Sequence, residues 1–380
     1  MGLFETFDSV SHQDWLDKIT TDLKGKDFDE TLVWKTKEGI DIQPFYTSCP
    51  DNFTPSPLKS AADWKIRETI TITSVENANK KALLALKGGA NSLLFVGEIH
   101  SQNEMDVLLK DIQIDIIEVH FYTTNPKQTT SFVNLTDGSI SYDFLGEKLE
   151  NIEKQVDYIV ASMTSKTKTI TVNGKSFSDK GASVIDELAF TLAQGVEYLN
   201  LLTEKGIDAQ TIANKMQFNL GIGTNYFFEI AKIRAIRILW NTILEQYKVA
   251  NSAMYIHSET NRTEEGQEDK NYDILRNTTR AMSAIIGGCN SLSVCPHDNS
   301  EANQDFSNRI ARNIQHILKE EAFFGKVNNP ADGSYYIEEL TTEIAAKSWK
   351  VFQEIESQGG FIASIKSNFI STKIHQNSIA

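Results

Sequence analysis

Segment 257–262 carries the richest set of side chains that could do chemistry in this 380-residue chain. His257 and Glu259 lie two residues apart, and in an extended strand such residues point the same way. An imidazole and a carboxylate side by side could act as an acid–base pair. The acidic residues at 264–269 could hold a hard cation, although a solvated loop explains them more simply. We expect no metal site there.

Two further segments offer nucleophiles. Lys175 follows a β-branched run and precedes Asp179, so it could form a Schiff base or bind a phosphate, with Asp179 as counter-charge. A solvated loop explains the same residues. Segment 295–298 places Cys295 beside His297 and Asp298, which suggests a nucleophile or a transition-metal site. The intervening proline and the lack of a second Cys or His pair at ligand spacing argue against both.

Two segments could bind an anion. Gly221 and Gly223 precede a helical stretch and could present backbone N–H groups to a phosphate, although a tight turn with Thr224 as helix N-cap fits equally well. Arg67, which we place in a loop at 64–69, could bind a phosphate or carboxylate through its guanidinium. The alternative for Arg67 is an ordinary surface arginine.

Composition narrows the class of protein. With 40% apolar residues the chain is globular, and its apolar runs are too short to cross a membrane. A formal charge of −14 without a basic stripe disfavours nucleic acid as a partner. The N-terminus lacks the order of a secretory signal, and Cys49, Cys289 and Cys295 match neither a zinc pattern nor a disulfide framework. We therefore expect reduced thiols and a cytoplasmic location.

Alternating strands and helices must position these segments. We predict helices at 75–86, 151–163 and 185–199, and strands at 92–96, 115–122, 169–172, 217–220, 254–257 and 291–294. Seven or eight such units favour a parallel (β/α)8 TIM barrel of the α/β class. The alternative is an open doubly wound sheet, but the sequence lacks the glycine-rich fingerprint that the dinucleotide-binding version of that fold carries after an early strand.

The chain also divides by composition. We assign residues 61–365 to the barrel. Residues 366–380 form a C-terminal tail, which we expect to be the start of a linker. Residues 1–60 hold four of the seven prolines and form an N-terminal arm that lies over a surface, such as that of a partner subunit.

Five landmarks add a family resemblance, at 64–67, 187–198, 221–240, 305–313 and 332–336. With them, residues 60 to 365 resemble the barrel domain of the methylmalonyl-CoA mutase family. The resemblance implies a TIM barrel that threads coenzyme A along its axis, followed by a cobalamin-binding domain. It also implies radical isomerisation of methylmalonyl-CoA and succinyl-CoA with adenosylcobalamin.

At the reactive positions of that family the sequence departs from the pattern. Thr69 stands where the family has a tyrosine that packs against substrate, and Lys175 and Ser176 replace the tyrosine and histidine of a Gly-Tyr-His segment. His257 is kept, but Glu259 replaces a glutamine. The resemblance therefore implies that a thioester carbonyl loses its proton donor.

The cofactor positions depart as well. Cys295 and Asn299 fall where the family contacts its cofactor, and an Asp-x-His-x-x-Gly segment does not occur in these 380 residues. The sequence stops at Ala380 just after a helical segment and without a terminating signal, which is the pattern expected of a truncated longer protein. Arg67, His257 and Asn290 stay as candidates for substrate binding.

These departures imply the small, degenerate subunit of a heterodimeric mutase. Such a subunit is non-catalytic and binds a large catalytic subunit, and the holoenzyme's adenosylcobalamin is not bound by this chain. The alternative is an enzyme in its own right that acts on an acyl-CoA, with His257 and Glu259 as acid and base. That alternative predicts an open, polar pore.

Overall fold

A computed structural model describes residues 10–57, 62–135, 137–147, 149, 151–163, 167–250, 252–262, 271–298, 300 and 303–379. Asn299 and the acidic segment 264–269 lie outside these ranges, so the predictions made for them have no structural counterpart.

The strands of the described residues form one small ribbon and one closed barrel. Their bounds are β1 (Trp34–Lys35), β2 (Asp41–Ile42), β3 (Lys65–Thr71), β4 (Ser92–Val96), β5 (Glu118–Tyr122), β6 (Gly138–Tyr142), β7 (Lys168–Asn173), β8 (Met216–Ile222), β9 (Ile256–Thr260) and β10 (Ser291–Ser293). β1 and β2 pair antiparallel, whereas the other eight pair in parallel in the closed order β10-β3-β4-β5-β6-β7-β8-β9. The predicted (β/α)8 barrel is confirmed, and the open sheet is excluded.

Helices surround the barrel and form part of the N-terminal arm. Their bounds are α1 (His12–Asp22), α2 (Phe28–Leu32), α3 (Val75–Lys87), α4 (Gln102–Leu108), α5 (Pro126–Phe132), α6 (Phe144–Glu147), α7 (Ile152–Ser162), α8 (Lys175–Ser178), α9 (Val184–Glu204), α10 (Ala209–Lys215), α11 (Tyr226–Gln246), α12 (Asn271–Gly287), α13 (Gln304–His316), α14 (Tyr335–Ser357), α15 (Gly360–Lys366) and α16 (Phe369–Ile379).

Local sequence signals explain where several helices begin. Ser74 and Ser183 precede α3 and α9, and each side chain accepts a hydrogen bond from the backbone N–H three residues on. The prediction of Thr224 as an N-cap is wrong, because Asn225 occupies that position before α11 and makes no side-chain cap bond.

Three expectations about elements need correction, and one strand was missed. Segment 64–69 is not a loop, since most of it belongs to β3, and the segment predicted as a loop after β7 contains the short helix α8. β9 begins and ends later than the predicted strand 254–257, and β6 was not predicted at all. Within the predicted tail, Ile370 and Ile374 of α16 are buried in the larger apolar core.

Apolar side chains on the outer faces of the strands pack against the helices. They form two buried clusters, a smaller one that includes Ile70 of β3 and residues of β4, β5 and β6, and a larger one that extends from Ile66 of β3 around the rest of the barrel. Phe95 and Phe121 stack in the first cluster, and Phe218 meets Trp240 edge-on in the second. The apolar core therefore lies outside the barrel wall, and the inward faces of the strands are left for other chemistry.

Candidate functional site

The interior of this barrel is lined by small polar side chains. Alternation along the strands points six buried hydroxyl residues inward: Ser92, Ser139, Ser141, Thr171, Ser291 and Ser293. TIM barrels are usually filled by bulky branched residues. Small hydroxyl side chains leave more room and present hydrogen-bonding groups, so the lumen is the candidate site.

Four larger side chains fill the lumen near the amino ends of the strands: Arg67, Glu118, His120 and Tyr255, here called the lumen cluster. The Tyr255 hydroxyl donates to Glu118 Oε2 over 2.7 Å. Glu118 lies on β5 and Tyr255 directly precedes β9, and these strands are four places apart in the eight-stranded ring. This hydrogen bond therefore crosses the barrel from one wall to the opposite wall.

Arg67 binds the other members of the lumen cluster. Its Nη2 lies 2.6 Å from His120 Nε2 and donates to Tyr255 Oη over 3.0 Å, and its Nε donates to Ser92 Oγ over 3.0 Å. Glu118 Oε2 is 3.5 Å from the same Nη2. The prediction of a surface arginine is wrong, because Arg67 is buried and its guanidinium is surrounded by partners within the protein.

Two groups of the lumen cluster, His120 and Tyr255, have pKa values far from pH 7. Burial lowers the pKa of His120 to about 3, and the charge on Arg67 adds to this effect. A guanidinium can only donate, so His120 Nε2 accepts and Nδ1 carries the proton towards Ser139 Oγ, 2.8 Å away. Burial also raises the pKa of Tyr255.

The carboxyl of Glu118 stays ionised. Burial would raise its pKa, but the charge on Arg67 and the hydrogen bond from the Tyr255 hydroxyl together hold the pKa of Glu118 below its ordinary value. The lumen cluster thus pairs one cation with one anion through neutral hydrogen-bonding groups. None of these shifts places a proton transfer near pH 7.

Charged side chains gather again at the carboxyl ends of the strands. Lys175 Nζ lies 2.6 Å from Asp179 Oδ2 and 3.5 Å from Glu259 Oε1. Burial would lower the pKa of Lys175, but Glu259 and Asp179 raise it above its ordinary value. An ammonium held in its charged form is a poor nucleophile, so the geometry disfavours a Schiff base at Lys175.

His257 and Glu259 both lie on β9 and not in the loop that follows it. His257 is buried, its Nδ1 is 2.9 Å from Ser291 Oγ, and burial lowers its pKa well below the ordinary value. Nε2 of His257 is buried without a hydrogen-bond partner among the described residues, as are Gln217 Oε1 and Asn219 Oδ1. These polar atoms could contact a small ligand in the upper lumen.

The remaining predicted residues lie apart from one another. Ser176 donates to the backbone oxygen of Asn173, and the exposed Thr69 lies two residues beyond Arg67 on the same side of β3. Asn290 accepts from Arg237 and from the backbone N–H of Ile256, at the amino end of β10. That is the end of a TIM barrel whose residues usually serve stability.

Glu118, His120 and Tyr255 were not among the predicted site residues. One signal was available, because Glu118 and His120 are spaced i, i+2 inside the strand predicted at 115–122. Their partners on β3 and before β9 are 53 and 137 residues away in sequence and give no local signal.

Cys295 does not fit a cofactor contact. Its Sγ donates to the backbone oxygen of Thr260 over 2.8 Å, and burial raises its pKa to about 11. All three cysteines are free thiols.

Among the residues that the structure describes, no group of three or more His, Cys, Asp or Glu side chains could hold a metal ion. No described helix combines the length and apolarity that a bilayer crossing requires.

Comparison with known proteins adds a family relationship. Residues 141–380 match the family model described as methylmalonyl-CoA mutase. The chain is 35% identical to the methylmalonyl-CoA mutase small subunit of Porphyromonas gingivalis, over 99% of this chain and 68% of that protein. It is 27% identical to the methylmalonyl-CoA mutase small subunit of Streptomyces virginiae, over 98% of this chain and 68% of that protein. It is 30% identical to the methylmalonyl-CoA mutase of Rhizobium meliloti, over 89% of this chain and 57% of that protein.

Proposed function

Because this chain belongs to the methylmalonyl-CoA mutase family, we propose that it is the small, non-catalytic subunit of such a mutase. Its partner is the large catalytic subunit, and the heterodimer isomerises methylmalonyl-CoA and succinyl-CoA. We also propose that the protein is cytoplasmic and that the adenosylcobalamin of the holoenzyme is not bound by this chain.

The lumen cluster is the observation that carries the proposal. A substrate threaded along the barrel axis would have to pass the level where Tyr255 and Glu118 meet at 2.7 Å. Opening that level would leave Glu118 and Arg67 buried without each other, which costs several kcal/mol. The lower lumen therefore serves as a packed interior, and coenzyme A does not thread it.

The candidate acid–base groups support the same conclusion. His257 is neutral at pH 7, because burial lowers its pKa well below the ordinary value, and no described hydrogen bond joins it to Glu259. Glu259 instead faces Lys175 at 3.5 Å. A general acid needs a pKa near the working pH and a proton within reach of the substrate. His257 lacks the first of these properties.

An uncovered aromatic surface supports a protein partner. α1 and α2 of the N-terminal arm contain no buried residue. Trp34 and Phe45 of the arm are 52% and 53% exposed, and Phe227, at the start of α11, is 45% exposed. The arm meets α11 and α14 through Trp34 against Phe228 and Tyr46 against Tyr336. Exposed aromatic side chains of this kind are typical of an interface core.

Co-expression with a large subunit tests the partner. We expect the wild-type chain to elute with the large subunit, and Phe45→Ser combined with Phe227→Ser to weaken the complex at least about tenfold. Ile116→Ser is the matched control, because Ile116 is 73% exposed and lies outside the aromatic surface. Failure of the wild-type chain to form a complex, or equal binding by the double variant, would contradict the proposal.

A second candidate function is favoured by one observation. The unpartnered Nε2 of His257 and Oδ1 of Asn219 could hold a short acyl group in the upper lumen. In that case the chain is an acyl-CoA enzyme with His257 and Glu259 as acid and base. Loss of turnover on removal of His257 would distinguish this function from the first.

A further inference from the structure

A cavity of about 540 Å³ lies on the outside of the barrel, between the parallel helices α3 and α13. Its volume falls within the range of small-molecule sites. The 305–313 landmark forms one side of this cavity, and the C-terminal half of α3 forms the other. It is separate from the lumen, and the proposed subunit role does not use it.

Cations outnumber acids in the lining of this outer cavity. Lys81, Lys87, Arg309 and Arg312 face two carboxylates, those of Glu68 and Asp305, so four positive and two negative charges leave a local charge of +2. The chain as a whole carries −14. A positive cavity on so acidic a protein attracts small anions selectively, while the surrounding surface repels long polyanions such as nucleic acid.

One of these cations is built into the floor of the cavity. Arg312 is buried, its Nη1 donates to Glu68 Oε2, and its Nε is buried without a hydrogen-bond partner among the described residues. Gly88 permits this position, because a Cβ there would lie 2.8 Å from Arg312 Nε. The Arg312 guanidinium is therefore held in a fixed position in the cavity wall by Glu68 and Gly88.

The other cations stand at the rim. Lys81 donates to Gln304 Oε1 over 3.0 Å. Arg309 and Lys87 are exposed and form no ion pair with another described residue. Two exposed cations beside one fixed guanidinium can contact a phosphate from several directions.

An aromatic side chain lies among these charges. Phe306 is 50% exposed, although Arg309 Cζ lies 5.3 Å from its ring centroid and His297 contacts it edge-on. Leu84 on the facing helix is 55% exposed. Exposed apolar side chains in a charged cavity provide a surface on which a planar ring can stack.

We propose that this outer cavity binds a phosphate ester that carries a planar ring, a ligand of the mononucleotide class. The phosphate lies among Arg309, Arg312 and Lys87, and the ring stacks on Phe306 and against Leu84. Inorganic phosphate fits the charged part alone and binds more weakly. A volume of about 540 Å³ matches a single small ligand.

Ligand-detected NMR with AMP tests the site on the full chain. We expect saturation transfer to the adenine protons, and we expect Arg309→Glu to weaken AMP binding at least about tenfold, since it reverses one charge. Phe306→Ala should weaken AMP about tenfold and leave inorganic phosphate unchanged, because stacking contributes only for the ring. Retained binding in both variants would overturn the proposed site.

Control variants separate this site from other surfaces. Lys350→Glu changes an exposed lysine on α14 by the same charge and should leave AMP binding unchanged. His257→Ala removes a lumen group and should also leave it unchanged. Equal loss in Lys350→Glu and Arg309→Glu would show that net charge alone governs binding. That result, or an absence of binding by the wild-type chain at millimolar AMP, would overturn the inference.

Discussion

Replacing His120 should make the free energy of unfolding depend less on pH in the acidic range. Burial lowers the pKa of His120 to about 3 in the folded chain, whereas the ordinary value is 6.5. Between these values the unfolded chain binds more protons than the folded chain, so the free energy of unfolding falls as the pH falls through that window. At pH 4.5, about two units below the ordinary pKa, the loss from this residue is about 3 kcal/mol.

Urea unfolding at pH 7 and pH 4.5 measures this loss, with fluorescence of the buried Trp64 and Trp240 as the signal. His120→Gln keeps an acceptor for Arg67 and removes the titrating ring. We expect the free energy of unfolding to drop by about 3 kcal/mol less in this variant than in wild type. His375→Gln, which changes an exposed histidine, should behave as wild type. Equal drops in wild type and His120→Gln would refute a neutral, buried His120.

Three further substitutions test the packing of the barrel. Gly138→Ala should destabilise the protein by more than about 3 kcal/mol in thermal unfolding, because φ is +130° and the new Cβ would lie 1.8 Å from a backbone oxygen. Gly206→Ala, where φ is +84° and the space is open, should cost only about 1–2 kcal/mol. Lys232→Met should cost about 3–5 kcal/mol at pH 7, since Glu187 and Glu229 lose the ammonium that lies 2.7 and 2.6 Å from them. The Lys232→Met loss should shrink at lower pH, because burial raises the pKa of Glu187.

The polar lumen explains which strands could be predicted. β4 carries apolar residues on both faces, because Leu94 and Val96 alternate with the outward Leu93 and Phe95, and the resulting continuous apolar run stands out in the sequence. β3 and β6 alternate apolar outward residues with Arg67, Ser139 and other polar inward residues, so they resemble loops. The same feature that makes the barrel unusual hid two of its strands.

The candidate site was less predictable than the fold. Segment 257–262 and Lys175 could be singled out because their chemical groups are close in sequence. The lumen cluster joins β3, β5 and the residue before β9, and only closure of the ring brings these strands together. The ion pair between Lys175 and Glu259, 84 residues apart, depends on the same closure. Closure of the ring, in turn, is set by the outward apolar faces and not by the polar groups.

Turnover of the reconstituted heterodimer tests the central claim, that this barrel keeps its packing and performs no chemistry. His257→Ala should be assayed beside wild type, with sizing to show that both complexes assemble. We predict turnover within about twofold of wild type, because His257 is neutral and buried. A fall of about two orders of magnitude or more in an intact complex is the effect of removing an acid–base catalyst, and it would contradict the account.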